Sequence, residues 1–213
     1  MTKKICMIII TSLLAVLTGS PVSASDWQFW HSEGINGAIS GKCDLALAKE
    51  FRLGRNINEL YYHHTDLGIK YRLCDWFKLG LNYRQVFEKK YGSWIEESRP
   101  HINGIFAWKW GDVRVETRNR LEFRNIENKG TATRYRNKLT LKFPGGEKIF
   151  PYLADEIFIQ GYLNRNRLYL GFKSEVIKNV NGNFCYIWQS SKKDDHWADA
   201  HILAIYLSLK VKF

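Results

Sequence analysis

Leu203-Ala204-Ile205-Tyr206-Leu207-Ser208-Leu209-Lys210-Val211-Lys212-Phe213 decides the fold. Leu203, Ile205, Leu207, Leu209, Val211 and Phe213 share one side of an extended strand, and Ala204, Tyr206, Ser208, Lys210 and Lys212 share the other. A strand between lipid and a wet interior needs that split. A soluble core strand seldom carries lysines on its second face up to a terminal aromatic. The reading is an all-β, antiparallel transmembrane β-barrel of the outer-membrane type. Leu207, Leu209, Val211 and Phe213 then serve as the C-terminal assembly signal, read by barrel-assembly machinery and periplasmic chaperones during biogenesis.

The amino terminus agrees. Lys3 and Lys4 precede an apolar run from Ile5 to Leu17, then Pro21 and the small-residue site Val22-Ser23-Ala24. This is a secretory signal peptide over residues 1–24, too short in its apolar run to span a bilayer as a helix. Residues 25–213 then form a single barrel domain in the bacterial outer membrane, in contact with its lipids. Cys6 lies too early to be a lipidated first residue.

Eleven segments of period-two alternation follow, at 26–40, 42–54, 59–73, 76–90, 94–110, 112–126, 134–143, 148–160, 164–177, 182–191 and 200–213. Tight turns at Cys74-Asp75, Gly111-Asp112, Gly145-Gly146 and Asn181-Gly182 alternate with looser connections at 54–58, 127–133, 160–164 and 191–199. Closed bacterial barrels usually have an even strand count. Counting back from the carboxyl terminus therefore leaves Asp26 to Ser40 unplaced: in the lumen, paired at the periplasmic side, or part of a twelve-strand barrel. Ten to twelve strands are expected. Trp76, Tyr91, Trp94, Trp108, Trp110, Trp188 and Trp197 suit interfacial girdles in a chain that is 15% aromatic.

Three alternating segments describe the interior. Arg114, Glu116, Arg118, Arg120, Glu122 and Arg124 lie opposite Val113, Val115, Leu121 and Phe123. Arg134, Arg136, Lys138 and Lys142 oppose Tyr135, Leu139, Leu141 and Phe143, and Arg165, Arg167, Lys173 and Glu175 oppose Leu168, Leu170 and Phe172. A charge at mid-bilayer on the lipid face costs about 2–4 kcal/mol, so these rows face inward. Clustered arginines suit phosphate, carboxylate or sulfate, which makes a small anionic solute the candidate ligand of an anion-passing or anion-binding lumen. They equally suit a plug of the barrel's own side chains. For the plug, turns near 129 and 146 set Arg136 beside Glu122 and Glu156, with Arg167 flanking Glu156, giving a Glu122, Arg136, Glu156, Arg167 ladder.

Asn119-Arg120-Leu121-Glu122-Phe123-Arg124, Arg134-Tyr135-Arg136-Asn137-Lys138-Leu139, Pro151-Tyr152-Leu153-Ala154-Asp155-Glu156, the opening Asp26-Trp27-Gln28 and Tyr62-His63-His64-Thr65-Asp66-Leu67-Gly68 resemble a bacterial domain-of-unknown-function family, one regarded as small outer-membrane barrels. The resemblance implies fold and location and brings no catalytic residue, ligand or cofactor.

Enzymatic readings fare less well. His31-Ser32-Glu33, His63, His64 and His101 supply nucleophiles and bases for a lipid hydrolase or acyltransferase. Neighbours on a strand, however, point to opposite faces, which separates His31 from Ser32, His63 from His64 and Asp155 from Glu156. The reading is a non-enzyme without cofactor or metal. Lys192-Lys193-Asp194-Asp195-His196 reads as a solvated loop. The net charge of +11 invites nucleic acid as a partner, but export and the spread of cations along inward faces argue against it. Of Cys43, Cys74 and Cys185, the first two lie near one end of neighbouring strands, where a bridge is open to them, and Cys185 reads as a small apolar residue.

Overall fold

The computed structural model describes residues 26–212, apart from 147 and 195. The expected signal peptide, residues 1–24, and Phe213 of the expected assembly signal lie outside the described residues. The described chain is a closed barrel of eleven strands: β1 (Asp26–Ser40), β2 (Cys43–Gly54), β3 (Glu59–Cys74), β4 (Phe77–Lys90), β5 (Ser93–Trp110), β6 (Val113–Ile126), β7 (Gly130–Lys142), β8 (Ile149–Gln160), β9 (Tyr162–Ile177), β10 (Val180–Lys193) and β11 (His196–Lys212).

Each strand pairs antiparallel with the next, and β1 closes the ring by pairing in parallel with β11, Phe29 opposite Leu203 and Ile35 opposite Leu209. The barrel is therefore mixed rather than purely antiparallel. Asp26–Ser40, unplaced by the even-count rule, is a wall strand. An odd number of strands can close only through one parallel pair, since the first and last strands then run the same way. The rim where β1 begins is called upper here, and the rim where β11 ends lower.

Cross-strand partners followed once around, from Ala38 through Asp44, Lys70, Gly80, Asn103, Arg120, Arg136, Phe158, Arg165 and Ser191 to Ala198, climb towards the upper rim. The circuit meets β1 again about 14 residues above Ala38, which implies a strand tilt of about 40° and a backbone radius of roughly 11 Å. Side chains of ordinary length fill an eight-stranded barrel. This wider one needs arginines and aromatics to reach its axis.

Connections are short at both rims, unlike the expected alternation of tight and loose turns. Tyr91-Gly92, both at positive φ (51° and 86°), joins β4 to β5 at the upper rim as a two-residue hairpin turn, and Gly161 alone separates β8 from β9. The longest connection, 143–148, holds Gly145-Gly146 at the lower rim. The turn placed at Asn181-Gly182 is instead Lys178-Asn179, with Asn179 at φ 66°. Gly182 lies inside β10, where a Cβ would stand 2.6 Å from the Phe184 ring and 2.8 Å from Val176. Its glycine answers a close approach, not a turn.

Cys43, Cys74 and Cys185 are all free thiols, so the bridge left open between Cys43 and Cys74 is not formed. Cys185 is buried inside with Trp30, Tyr152, Ala154, Tyr169, Ile187, Ile202 and Ala204, an apolar half-lumen on β1 and β8 to β11.

The outer wall is mainly apolar: Leu45, Leu47, Leu67, Ile69, Leu81, Ile102, Leu121, Leu139, Leu153, Leu170, Phe172, Leu203 and Leu209 are all exposed there. Trp76, Trp108 and Trp110 are exposed near the lower rim, Trp94, Tyr162 and Trp197 near the upper. Polar residues interrupt this wall in locally bonded groups. His31 meets Glu33 at 3.1 Å, Asn166 donates to Asp155 at 2.6 Å, and Asn137 donates to Thr117 and Asn119 at 3.0 and 2.9 Å.

Candidate functional site in the barrel lumen

Strand alternation carries the charged rows inward. Arg120, Glu122, Arg134, Arg136, Glu156 and Arg167 are buried; Arg118, Arg124, Lys138 and Arg165 are half-buried; Arg114, at the lower rim, is exposed. The two carboxylates at the centre are almost wholly enclosed, Glu122 at 0% and Glu156 at 1% exposure. Such burial is tolerated only where counter-charges and hydrogen bonds replace water.

The ladder forms. Arg136 Nη1 donates to Glu122 at 2.7 Å and its Nη2 to Glu156 at 2.8 Å, and Arg167 stands 3.9 Å from the second oxygen of Glu156. The register differs from the expected one by a step. The residues directly opposite Arg136 are Arg120 and Phe158, while Glu122 faces Arg134 and Glu156 faces Lys138 and Arg167. The contacts are made on the diagonal, which the long guanidinium arm reaches. Arg134 adds a second pairing to Glu122, with Nε at 2.7 Å, and Arg118 joins Glu156 at 2.8 Å. The Tyr169 hydroxyl donates to the remaining Glu156 oxygen at 2.7 Å. Lys138 lies with its ammonium 3.3 Å from the Tyr169 ring centre.

The network is wider than the sequence suggested. Arg84 donates to Asp66 at 2.7 Å; Asn82 links Asp66 to Asn103, and Asn103 accepts from Arg120 Nε at 2.6 Å. Arg120 reaches Glu122 at 3.6 Å, and at the far end Arg167 donates to Gln189 at 2.7 Å. Polar contacts thus run from β3 to β10 without a break. Beside them Glu97 takes both Arg99, at 2.6 Å, and Arg124, whose two nitrogens stand at 2.7 and 2.8 Å. The period-two run Glu97, Arg99, His101, Asn103 is the sequence signal for this part.

His64 and His101 are buried inside, whereas His31 is on the outer face against Glu33. Serine and histidine are not brought into a nucleophile-and-base pair by these positions. Asp155 is exposed outside while Glu156 is buried inside, as alternation requires. Among the described residues there is no group of three or more His, Cys, Asp or Glu placed to hold a metal.

Above the ladder the lumen becomes aromatic. Arg52 stacks on Trp30 with its guanidinium carbon 3.7 Å from the ring centre, Arg167 lies 4.7 Å from that ring, and the Phe158 ring has Arg136, Arg167, Arg134 and Arg165 about it at 4.4 to 5.6 Å. A cleft of about 180 Å³ opens here from the upper rim, lined by Asp26, Gln28, Arg55, Glu59, Tyr61 and Lys89 among others. Its lip is the 55–58 turn, where Arg55, Asn56 and Ile57 all have positive φ. Asp26 Oδ1 accepts from Asn56 N–H and Asn56 Oδ1 from Trp27 N–H, fastening that turn to the start of β1.

Neither comparison with curated proteins nor comparison with solved structures gives a match. A family model does match, over residues 27–200, which runs from the second described residue of β1 into β11 and so takes in the whole lumen network. The chain belongs to the family described as a protein of unknown function, DUF2490.

Proposed function

We propose that this is a non-enzymatic bacterial outer-membrane barrel whose lumen is closed to conduction by its own Arg–Glu network and retains small anions above that closure. The sidedness of the wall carries the reading. Large apolar side chains are exposed outside between two aromatic rims, and the densest charge is enclosed within. A water-soluble barrel of this composition gains nothing from displaying Leu47, Leu67, Leu81, Leu139 and Leu170, whereas a bilayer requires it. The amino-terminal residues 1–24 support export, and the alternation up to Phe213 supports assembly by the outer-membrane machinery.

Closure rather than conduction follows from filling. Glu122, Glu156, Phe158, Ile187, Ile202 and Trp30 are all essentially inaccessible. Retention of anions follows from charge. Between the rims the inward cations Arg52, Arg84, Arg99, Arg118, Arg120, Arg124, Arg134, Arg136, Lys138, Lys142, Arg165 and Arg167 outnumber the carboxylates Glu50, Asp66, Glu88, Glu97, Glu116, Glu122 and Glu156. That excess draws anions from solution.

Membrane fractionation of cells expressing the full chain, followed by planar-bilayer recording of the refolded protein, tests both halves. The expected result is a heat-modifiable band in the outer-membrane fraction and no discrete current steps. Recovery as a soluble periplasmic protein overturns the location, and anion-selective steps overturn the closure.

A further inference from the structure

At the upper end of the ladder two cations sit side by side with little carboxylate to meet them. Arg165 donates from Nε to Ser191 Oγ at 3.0 Å, and among the described residues no carboxylate lies in ion-pair range of it. Arg167 beside it is held by Gln189 at 2.7 Å, and its nearest carboxylate, Glu156, is 3.9 Å away and already bonded by Arg118, Arg136 and Tyr169. Both guanidiniums face the Phe158 ring, at 5.6 and 4.6 Å. Arg52, which also stacks on Trp30, has its charge met by Glu50.

The cleft at the upper rim adjoins this level. Gln28 and Tyr61 line the 180 Å³ cleft. Tyr61 hydroxyl donates to Gln28 Oε1 at 2.8 Å, and Nε1 of Trp30, the ring that Arg52 and Arg167 both approach, donates to the same oxygen at 3.1 Å. The polar lining of the cleft and the arginine tier are therefore two hydrogen bonds apart. The cleft has room for about six waters, enough for one oxyanion with a few attached atoms; its lining includes Asp26 and Glu59 but neither Arg165 nor Arg167, so an anion meets the arginines only by parting Tyr61 from Gln28.

We propose that the half-buried Arg165 and its neighbour Arg167, backed by Phe158 and Trp30 and entered when Tyr61 parts from Gln28, form a binding site for a phosphate group. Two guanidiniums without a dedicated carboxylate match the near-double negative charge of a phosphate or phosphomonoester at neutral pH. Their planar forks give paired hydrogen bonds to its oxygens. The proposal rests on the reading of the lumen as anion-retaining and gives that reading an address. Free phosphate and the phosphate of a lipid headgroup offer the same chemistry.

Isothermal titration of the refolded, detergent-solubilised protein with inorganic phosphate, and with micelles doped with phosphatidic acid, tests the site. Saturable binding is expected for the intact protein, with an accompanying rise in thermal unfolding temperature. Arg165→Gln should bind at least tenfold more weakly, Arg165→Lys less severely so, and Arg114→Gln, at the exposed lower rim, as the intact protein does. Folding of each variant is read from its heat-modifiable gel mobility; removing a cation with no carboxylate should leave it intact. Equal phosphate binding by intact protein and Arg165→Gln overturns this site while leaving an anion-retaining lumen in place. No response to phosphate, sulfate or doped micelles overturns both. A response to doped micelles alone supports the site and assigns it to a headgroup.

Discussion

Glu156→Gln is the sharpest test of the lumen network. The glutamate is 1% exposed and receives Arg118 and Arg136 at 2.8 Å on one oxygen, Tyr169 at 2.7 Å on the other, and Arg167 at 3.9 Å. Glutamine preserves shape and one acceptor oxygen but removes the charge, leaving Arg118 and Arg167 with no other carboxylate partner among the described residues. Breaking a buried pair by removing one partner costs about 3–5 kcal/mol, and the retained amide places this case near 3 kcal/mol. With a urea dependence of about 2 kcal/mol per molar, the unfolding midpoint falls by about 1.5 M. Urea titration of detergent-refolded protein, followed by tryptophan fluorescence and checked by heat-modifiable mobility, measures it. The double variant Glu156→Gln/Arg136→Gln removes one of the stranded cations and should regain at least about 1 kcal/mol relative to additivity. A midpoint shift below about 0.3 M, or strictly additive variants, would falsify the claim that this carboxylate neutralises a buried arginine cluster.

Further expectations concern the frame. Gly68→Ala should destabilise by about 1–3 kcal/mol in the same assay, because a Cβ there stands 2.0 Å from Asn82 Nδ2, which cannot retreat without releasing Asp66; an unchanged midpoint contradicts this. On a background lacking the native cysteines, Ile35→Cys/Leu209→Cys should oxidise to an intramolecular crosslink, since the two are opposite in the parallel closure, and Ile35→Cys/Leu203→Cys should not. The reverse pattern refutes the register. Maleimide should label Cys43 and Cys74 in the folded protein and Cys185 only after denaturation; ready labelling of Cys185 would mean that the half-lumen around it is open.

Alternation made the wall legible and connectivity did not. Each expected segment, as far as Lys212, falls on a strand because a single pattern of apolar and charged neighbours settles its two faces, even through Pro100, whose missing N–H leaves β5 a strand from Ser93 to Trp110. Which strands are neighbours across the closure is a different matter. Nothing in Trp27, Phe29 or Ile35 distinguishes an outward face beside β11 from one beside any other strand, so β1 was left over by a rule about even counts. Turn chemistry misled at Asn181-Gly182 for a related reason: a glycine excluded by a neighbouring ring looks the same in sequence as one required by a turn.

The ladder was readable because its error was forgiving. A register wrong by one pair of residues still leaves Arg136 within reach of both Glu122 and Glu156, as the guanidinium spans the diagonal. The shorter side chains of the second network do not have that tolerance. Asn82, opposite Gly68 and His101, reaches Asp66 and Asn103 one step along the diagonal, so a further slip of the register breaks both bonds, and no spacing argument fixes that from β3, β4 and β5 separately.

The odd strand count has a physical consequence for assembly of the proposed outer-membrane barrel. With β1 and β11 parallel, Asp26 and Lys212 lie at opposite rims. If the lower rim carries the carboxyl terminus on the periplasmic side, the start of β1 must cross to the outer side during assembly. Cleavage after residue 24 would leave little chain ahead of Asp26 to be carried across. The start of β1 is then fastened by Asn56 through Trp27 N–H, and by Asp26 accepting from Asn56 N–H, so the strand that closes the ring also forms the wall of the cleft above the arginines. Closure of the ring sets Gln28 opposite Ile202 and Trp30 opposite Ala204 on β11, so the strand that completes the barrel is also the one that carries the aromatic and polar neighbours of the proposed anion site.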